Sequence, residues 1–203
     1  MKKLFKSLEK QACGFYPFFI LYHKLYRRVL QREVELAGIT ERDVVLNIGC
    51  GAAPFTALHV VQMTGAKVIA LDKDPEAVAM ARDFLKKHGL DENIDIRHGD
   101  GSPEELPFFT VAMIALHVLE KEKMLQNLQA QGPPRARLVF RQPVKAYRQE
   151  YGYFRDDIPP DRRIAQDMKT FQESFLFMIP EKKTGSTKPS HGEQTLKNGR
   201  EPT

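Results

Sequence analysis

Cysteine is scarce in this 203-residue chain, with Cys13 and Cys50 the only two. Two thiols cannot build a disulfide framework or a cysteine-rich zinc module, and such usage suits a reducing compartment. Glycine and proline, 13 residues each, fall far below collagen or low-complexity levels. Long apolar runs are missing as well. The greasiest stretch, Phe15 to Leu21, has Pro17 inside it and is far shorter than the ~20 residues a membrane-spanning helix needs. Lys2, Lys3 and Lys6 could open a secretory leader, but Glu9 and Lys10 interrupt any apolar run behind them, and no small-residue cleavage pattern follows. The expectation is a cytoplasmic protein with no membrane partner. Of the six histidines, His23, His59, His88, His98 and His191 show no metal-ligand spacing, and no metal is expected.

What is present is the balance of a globular domain: 42% hydrophobic and 28% charged residues exclude a coiled coil or a wholly disordered chain. The length suits one domain with little room for a second. The net charge of +5 and pI near 9.1 are mildly basic. Lysines and arginines cluster near the N-terminus and again at Lys24, Arg27, Arg28 and Arg32, either as a solvated helix face or as a nucleic-acid contact.

Three zones divide the chain. Residues 1–40 read as a helical segment rich in aromatics, among them Tyr16, Tyr22 and Tyr26, which either pack or close over a pocket. Residues 41–180 alternate short β-type runs with helical stretches. Residues 181–203 hold one leucine and no other large apolar side chain, too little to offset ordering entropy, so a disordered tail is expected.

The middle zone has a regular rhythm. Val44–Ile48 and Lys67–Leu71 are short apolar runs of the kind found in buried parallel strands. Pro54 and Gly65 bracket one helix. Asp74 caps a second, Pro75 opens it, and Gly89 closes it, with Ala77, Val78, Ala81, Phe84 and Leu85 on one face. Asn93–Arg97, Thr110–Leu116 and Arg137–Phe140 supply further strands, and Glu120–Gln131 a further helix. Alternation with short links predicts an α/β doubly wound, mostly parallel sheet, with ligands in the crevice at the strands' carboxyl ends. Functional residues are then expected at about 49–54, 72–74, 99–101, 116–118 and 141–147.

Those positions carry chemistry. Gly49-Cys50-Gly51 sits between a strand and a helix, where glycine allows a sharp turn and close ligand approach. Asp72 ends the second strand, where a carboxylate can accept from both ribose hydroxyls. Asp100 in Gly99-Asp100-Gly101 either takes an adenine amine or makes a turn. Together they spell a nucleoside-containing cofactor. Pro54, where a dinucleotide fold wants a third glycine, argues against NAD.

The run Leu46-Asn47-Ile48-Gly49-Cys50-Gly51, followed by Leu71-Asp72-Lys73-Asp74-Pro75-Glu76, resembles the class I S-adenosylmethionine (SAM) dependent methyltransferases over residues 41 to about 145. The resemblance implies a Rossmann-like SAM-binding fold with an N-terminal helical cover. It places Gly49, Cys50, Gly51, Asp72, Lys73, Asp100, Gly101, Leu116 and His117 around the cofactor. Asn47 stands where that family usually has an acid, and Ala53 where it has a third glycine, so the methionyl amine would be held differently. The spacing of Gly49, Gly51, Pro54 and Thr56 is similar to the nicotianamine synthase group, which moves the aminocarboxypropyl chain of SAM instead of its methyl. Arg141 and Tyr151 match that group too, while Lys145 and Tyr147 stand where it has a glycine and a second arginine.

No catalytic residue is assigned. His117 follows the fourth strand, either as a general base or as a lining residue. Cys50 reads as a small residue in a tight place. The absence of an Asp/Asn-Pro-Pro-Tyr/Phe motif after that strand weighs against base methylation. The expected function is methyl transfer from SAM to a small-molecule acceptor. The alternatives are aminocarboxypropyl transfer, RNA methylation, and a non-catalytic SAM-fold binding protein.

Overall fold

The computed structural model describes residues 16–90 and 92–181; for residues 16–25 and Glu105 it describes the backbone alone. The expected tail, residues 181–203, lies outside the described residues except for Glu181, as do Cys13 and the side chains of Tyr16 and Tyr22.

The elements in chain order are α1 (Tyr16–Ala37), β1 (Val44–Ile48), α2 (Phe55–Thr64), β2 (Lys67–Asp72), α3 (Pro75–His88), β3 (Ile94–His98), β4 (Val111–Ile114), α4 (Lys121–Gln131), β5 (Arg137–Pro143), the short α5 (Arg148–Tyr151), β6 (Arg162–Ala165) and β7 (Phe171–Met178). They form one seven-stranded sheet in the order β3-β2-β1-β4-β5-β7-β6. β1 to β5 run parallel, while β7 lies antiparallel to β5 and to β6.

Local chemistry explains the boundaries. Asp74 accepts from the Glu76 N–H at 3.1 Å and caps α3, and Pro75 occupies its first turn. Gly65 and Gly89 close α2 and α3 in the left-handed conformation. α2 begins at Phe55, with Pro54 as its cap, and β4 ends at Ile114, two residues short of the expected limit.

Strand alternation sorts the core into two layers. Val45, Val68, Ala70, Met113 and Val139 face α1, α2 and α3, meeting Leu30, Leu36, Leu58 and Phe84. Leu46, Ile48, Ile114, Leu138 and Phe140 face the other way, onto Leu125 and Leu128 of α4. Phe140 packs edge-on to Phe154 and Phe177 at 5.1 and 5.9 Å, contacts worth about 0.5–1.5 kcal/mol each beyond their burial.

Two regions bear on the function. On α1, Val29, Leu30, Glu33, Leu36 and Ala37 are all buried, at the spacing of one helix face, so a carboxylate stands inside an apolar stripe. The second region corrects the expected strand–helix alternation up to residue 180. After β5 the chain makes only the four-residue α5 and then an antiparallel hairpin. A two-strand hairpin needs no crossover helix, so the rhythm stops there. Among the described residues no helix is long and apolar enough to cross a membrane.

Candidate functional site

The carboxyl ends of β1, β2 and β4 meet at the turn after β1. Gly49 and Gly51 adopt φ of +82° and +68°, a conformation that side chains disfavour. A Cβ on Gly49 would also stand 3.1 Å from the Ala115 Cβ. The Gly49 and Cys50 N–H groups both donate to the Leu71 carbonyl, at 2.8 and 3.0 Å. Asp72 holds the rest of the turn. Its Oδ2 accepts from the Gly51 N–H at 2.7 Å, and its Oδ1 from the Asp74 N–H at 3.0 Å. Cys50 is buried in this turn, outside any disulfide, and Lys73 is exposed beside Asp72.

The remaining expected residues lie at the same edge. Asp100 is exposed and accepts from the Ser102 N–H at 2.9 Å in a local turn. Gly101, at φ +80°, is buried, and a Cβ there would lie 2.9 Å from Ile48 Cδ1. Leu116 is buried and His117 exposed just past β4, with the His117 ring 6.4 Å from that of Tyr151. The loop is held from below by Lys121, a buried lysine whose Nζ donates to the Leu116 and Val118 carbonyls at 2.8 and 2.9 Å.

A second group of side chains closes the crevice beside Asn47. Arg141, at the end of β5, forms a bidentate pair with Glu33 of α1: Nε to Oε1 and Nη2 to Oε2, both 2.8 Å. Their side chains are 5% and 0% exposed, so the pair is removed from solvent screening. Arg141 Nη1 donates to the Tyr26 hydroxyl at 3.0 Å, and the guanidinium lies between the rings of Tyr26 and Phe171 at 5.2 and 5.7 Å. Ser174 of β7 donates to Glu33 Oε1 at 2.7 Å, and Gln166 donates to Ser174 Oγ at 3.1 Å.

Glu33, Arg141, Asn47 and Thr56 line one small pocket. Asn47 Nδ2 donates to the Met113 carbonyl at 3.2 Å, while its buried Oδ1 has no hydrogen-bond partner among the described residues. A buried acceptor left open in this way can take a donor from an ordered water or from a bound molecule.

Further out, the rings of Tyr147 and Tyr151 lie tilted to each other, with centroids 5.9 Å apart. Burial pushes the Tyr151 phenol above its ordinary range, and the neighbouring Glu150, Tyr147 and Tyr26 add to the shift. Tyr151 therefore stays protonated near neutrality.

The expected cofactor residues thus gather along one edge of the sheet. Glu33, Ser174, Gln166 and Lys121 were not among them. Glu33 was detectable as a charge on an apolar helix face, whereas Ser174 and Gln166 left no comparable signal.

Residues 45–131 match the family described as a methyltransferase domain. The chain is 31% identical over 120 residues to L-histidine 2-aminobutanoyltransferase of Yersinia pestis, covering 59% of this chain and 45% of that one. It is 28% identical over 109 residues to a probable cobalt-precorrin-6B C(15)-methyltransferase (decarboxylating) of Methanothermobacter thermautotrophicus, covering 51% of this chain and 54% of the relative. The chain therefore spans about half the length of the curated relatives it matches. Among solved structures, MtNAS in complex with MTA and tNA superposes with a TM-score of 0.71 at 20% identity, covering 86% of this chain and 70% of MtNAS. An RNA methyltransferase from Salinibacter ruber in complex with S-adenosyl-L-homocysteine gives 0.60 at 24% identity, covering 76% of this chain and 92% of that one. These likenesses establish the Rossmann-like fold. The match to a methyltransferase domain runs from β1 to the end of α4.

Proposed function

We propose that the protein is a SAM-dependent transferase that acts on a small-molecule acceptor, with methyl transfer as its reaction. The observation that carries the reading is the meeting of Asp72, bonded to the Gly51 N–H, with the open acceptor Asn47 Oδ1 on one sheet edge. These residues fit a SAM-type ligand at both ends. Asp72 would take the ribose hydroxyls and Asp100 the adenine side, with Gly49, Cys50, Gly51, Lys73, Gly101, Leu116 and His117 shaping the cleft between them. Asn47 Oδ1 would accept from the methionyl ammonium.

When bound, SAM supplies a sulfonium-activated carbon open to direct displacement. The chain's own contribution is to align the acceptor and exclude water. α1 supports a small acceptor, because Glu33 lines the pocket and both Glu33 and Tyr26 bond Arg141 at the β5 end. His117, exposed just past β4, would be the group to receive a proton if the acceptor carries one.

A second reading is aminocarboxypropyl transfer. It is favoured by Arg141 lining the pocket and by the likeness to an aminobutanoyltransferase. The two differ in their by-product: S-adenosylhomocysteine for methyl transfer, methylthioadenosine for the other.

Calorimetric titration with SAM, S-adenosylhomocysteine, methylthioadenosine and NAD is the test, followed by chromatography of the by-product formed in the presence of candidate amines and acids. Micromolar SAM binding with S-adenosylhomocysteine released is the expected result. Release of methylthioadenosine would replace it by the second reading, and no binding of any SAM-related ligand would sink both.

A further inference from the structure

The hairpin after β5 lies outside every motif of the SAM-binding half, yet its buried polar groups converge on the pocket. Ser174 is 0% and Gln166 5% exposed. Ser174 Oγ donates to Glu33 Oε1 at 2.7 Å, and Gln166 Nε2 donates both to Ser174 Oγ at 3.1 Å and to the Val29 carbonyl of α1 at 3.3 Å. The chain of contacts is Gln166 to Ser174 to Glu33 to Arg141, and its last two members line the pocket with Asn47 and Thr56.

We propose that Ser174, backed by Gln166, is a positioning residue for the amino-acid end of a SAM-type ligand and acts through Glu33 and Arg141; this rests on the SAM reading above. An α-amino-acid group presents an ammonium and a carboxylate side by side. The pocket answers with matching chemistry: Asn47 Oδ1 and the Glu33 carboxylate for the first, the Arg141 guanidinium and the Thr56 hydroxyl for the second. Arg141 spends Nε and one Nη2 proton on Glu33 and reaches Thr56 Oγ at 3.5 Å with the same Nη2. The plane of the Glu33 carboxylate therefore fixes the plane of the guanidinium. That carboxylate can turn about its last torsion, which is soft. The bond from Ser174 removes the freedom, because a charge-assisted hydrogen bond of 2.7 Å in a buried setting is strong and directional.

A purely architectural role would make Ser174 no more than a tie between α1 and β7. Two ligands separate the roles. S-adenosylhomocysteine carries the amino-acid end, and methylthioadenosine lacks it. Calorimetry of the wild type and the Ser174→Ala, Ser174→Thr and Gln166→Met variants reads the difference without needing the acceptor. Ser174→Ala should weaken S-adenosylhomocysteine roughly tenfold, the loss of one hydrogen bond to a charged group, and leave methylthioadenosine within about twofold. Ser174→Thr, which keeps the hydroxyl, should restore most of the affinity. Gln166→Met should move S-adenosylhomocysteine in the same direction by about two- to fourfold. Unchanged affinity for S-adenosylhomocysteine in Ser174→Ala, or an equal loss for both ligands, would overturn the proposal while leaving the SAM reading standing. Wild-type protein that binds neither ligand would overturn the SAM reading and this proposal together.

Discussion

β5 carries two arginines on one face, and each pairs with a carboxylate next to α1. At the strand's start Arg137 bonds Asp43 and also donates to the carbonyls of Ala37 and Gly38, at 2.8 and 2.9 Å. At its end Arg141 bonds Glu33. The two pairs use the same chemistry for different ends. Besides Arg137, Asp43 accepts from Thr110 Oγ at 2.7 Å, the Thr40 N–H at 2.8 Å and the Thr40 hydroxyl at 3.1 Å. That pair is partly exposed, its side chains at 22% and 9%. The Glu33 pair is deeper, is assembled with Ser174 from three separate elements, and borders an acceptor with no partner among the described residues. One pair ties the helix down. The other ties it down and also offers charge to a cavity, which lies at the carboxyl ends of the strands, where parallel sheets place their ligands.

The largest expected effect tests that contrast directly. Glu33→Ala strands the Arg141 charge in the interior and should cost about 3–5 kcal/mol of stability by urea denaturation. Replacing both residues by methionine should cost much less than either single loss, because no charge is left unpaired. A single-variant cost below ~1 kcal/mol would mean that the pair is solvated and the contrast false.

Asp72→Ala is the next step down. It should weaken SAM by about 1.5–3 kcal/mol, ten- to hundredfold, through loss of a charged acceptor. Unchanged calorimetric affinity would reject the ribose assignment.

Asp43 should give the smallest effect. Burial alone raises its carboxyl pKa, but the bonds from Thr110 and Thr40 and the Arg137 charge outweigh burial and hold it below the ordinary value. A depressed folded-state value adds stability above the unfolded pKa near 4, and that stability is lost as pH falls through the lower folded value. Asp43→Asn should cost about 1–2 kcal/mol at neutral pH and flatten the acid limb of a stability–pH curve. SAM affinity should stay unchanged. An acid limb as steep as that of the wild type would show that another carboxylate controls it.

The same division separates what could be read from sequence from what could not. β1 to β5, the Asp74 cap and the Gly49–Gly51 turn follow from neighbours within a few positions, and the Asp72 placement from strand order. Arg141 was marked by its place at a strand end. Glu33 meets Arg141 across 108 positions and Ser174 across 141, and no local pattern encodes such a meeting. β7 was missed for a related reason. Phe171–Met178 mixes Gln, Glu and Ser with its aromatics, and only pairing with β5 makes it a strand.

That separation also sets an order of assembly. The glycine turn and Asp72 can form once β1, β2 and β4 have paired, early in synthesis. The carboxylate that faces the pocket waits for Ser174, which leaves the ribosome 141 residues after Glu33. Closing so long a loop is slow, so a nascent chain would hold the parts for a nucleoside well before those for the amino acid attached to it.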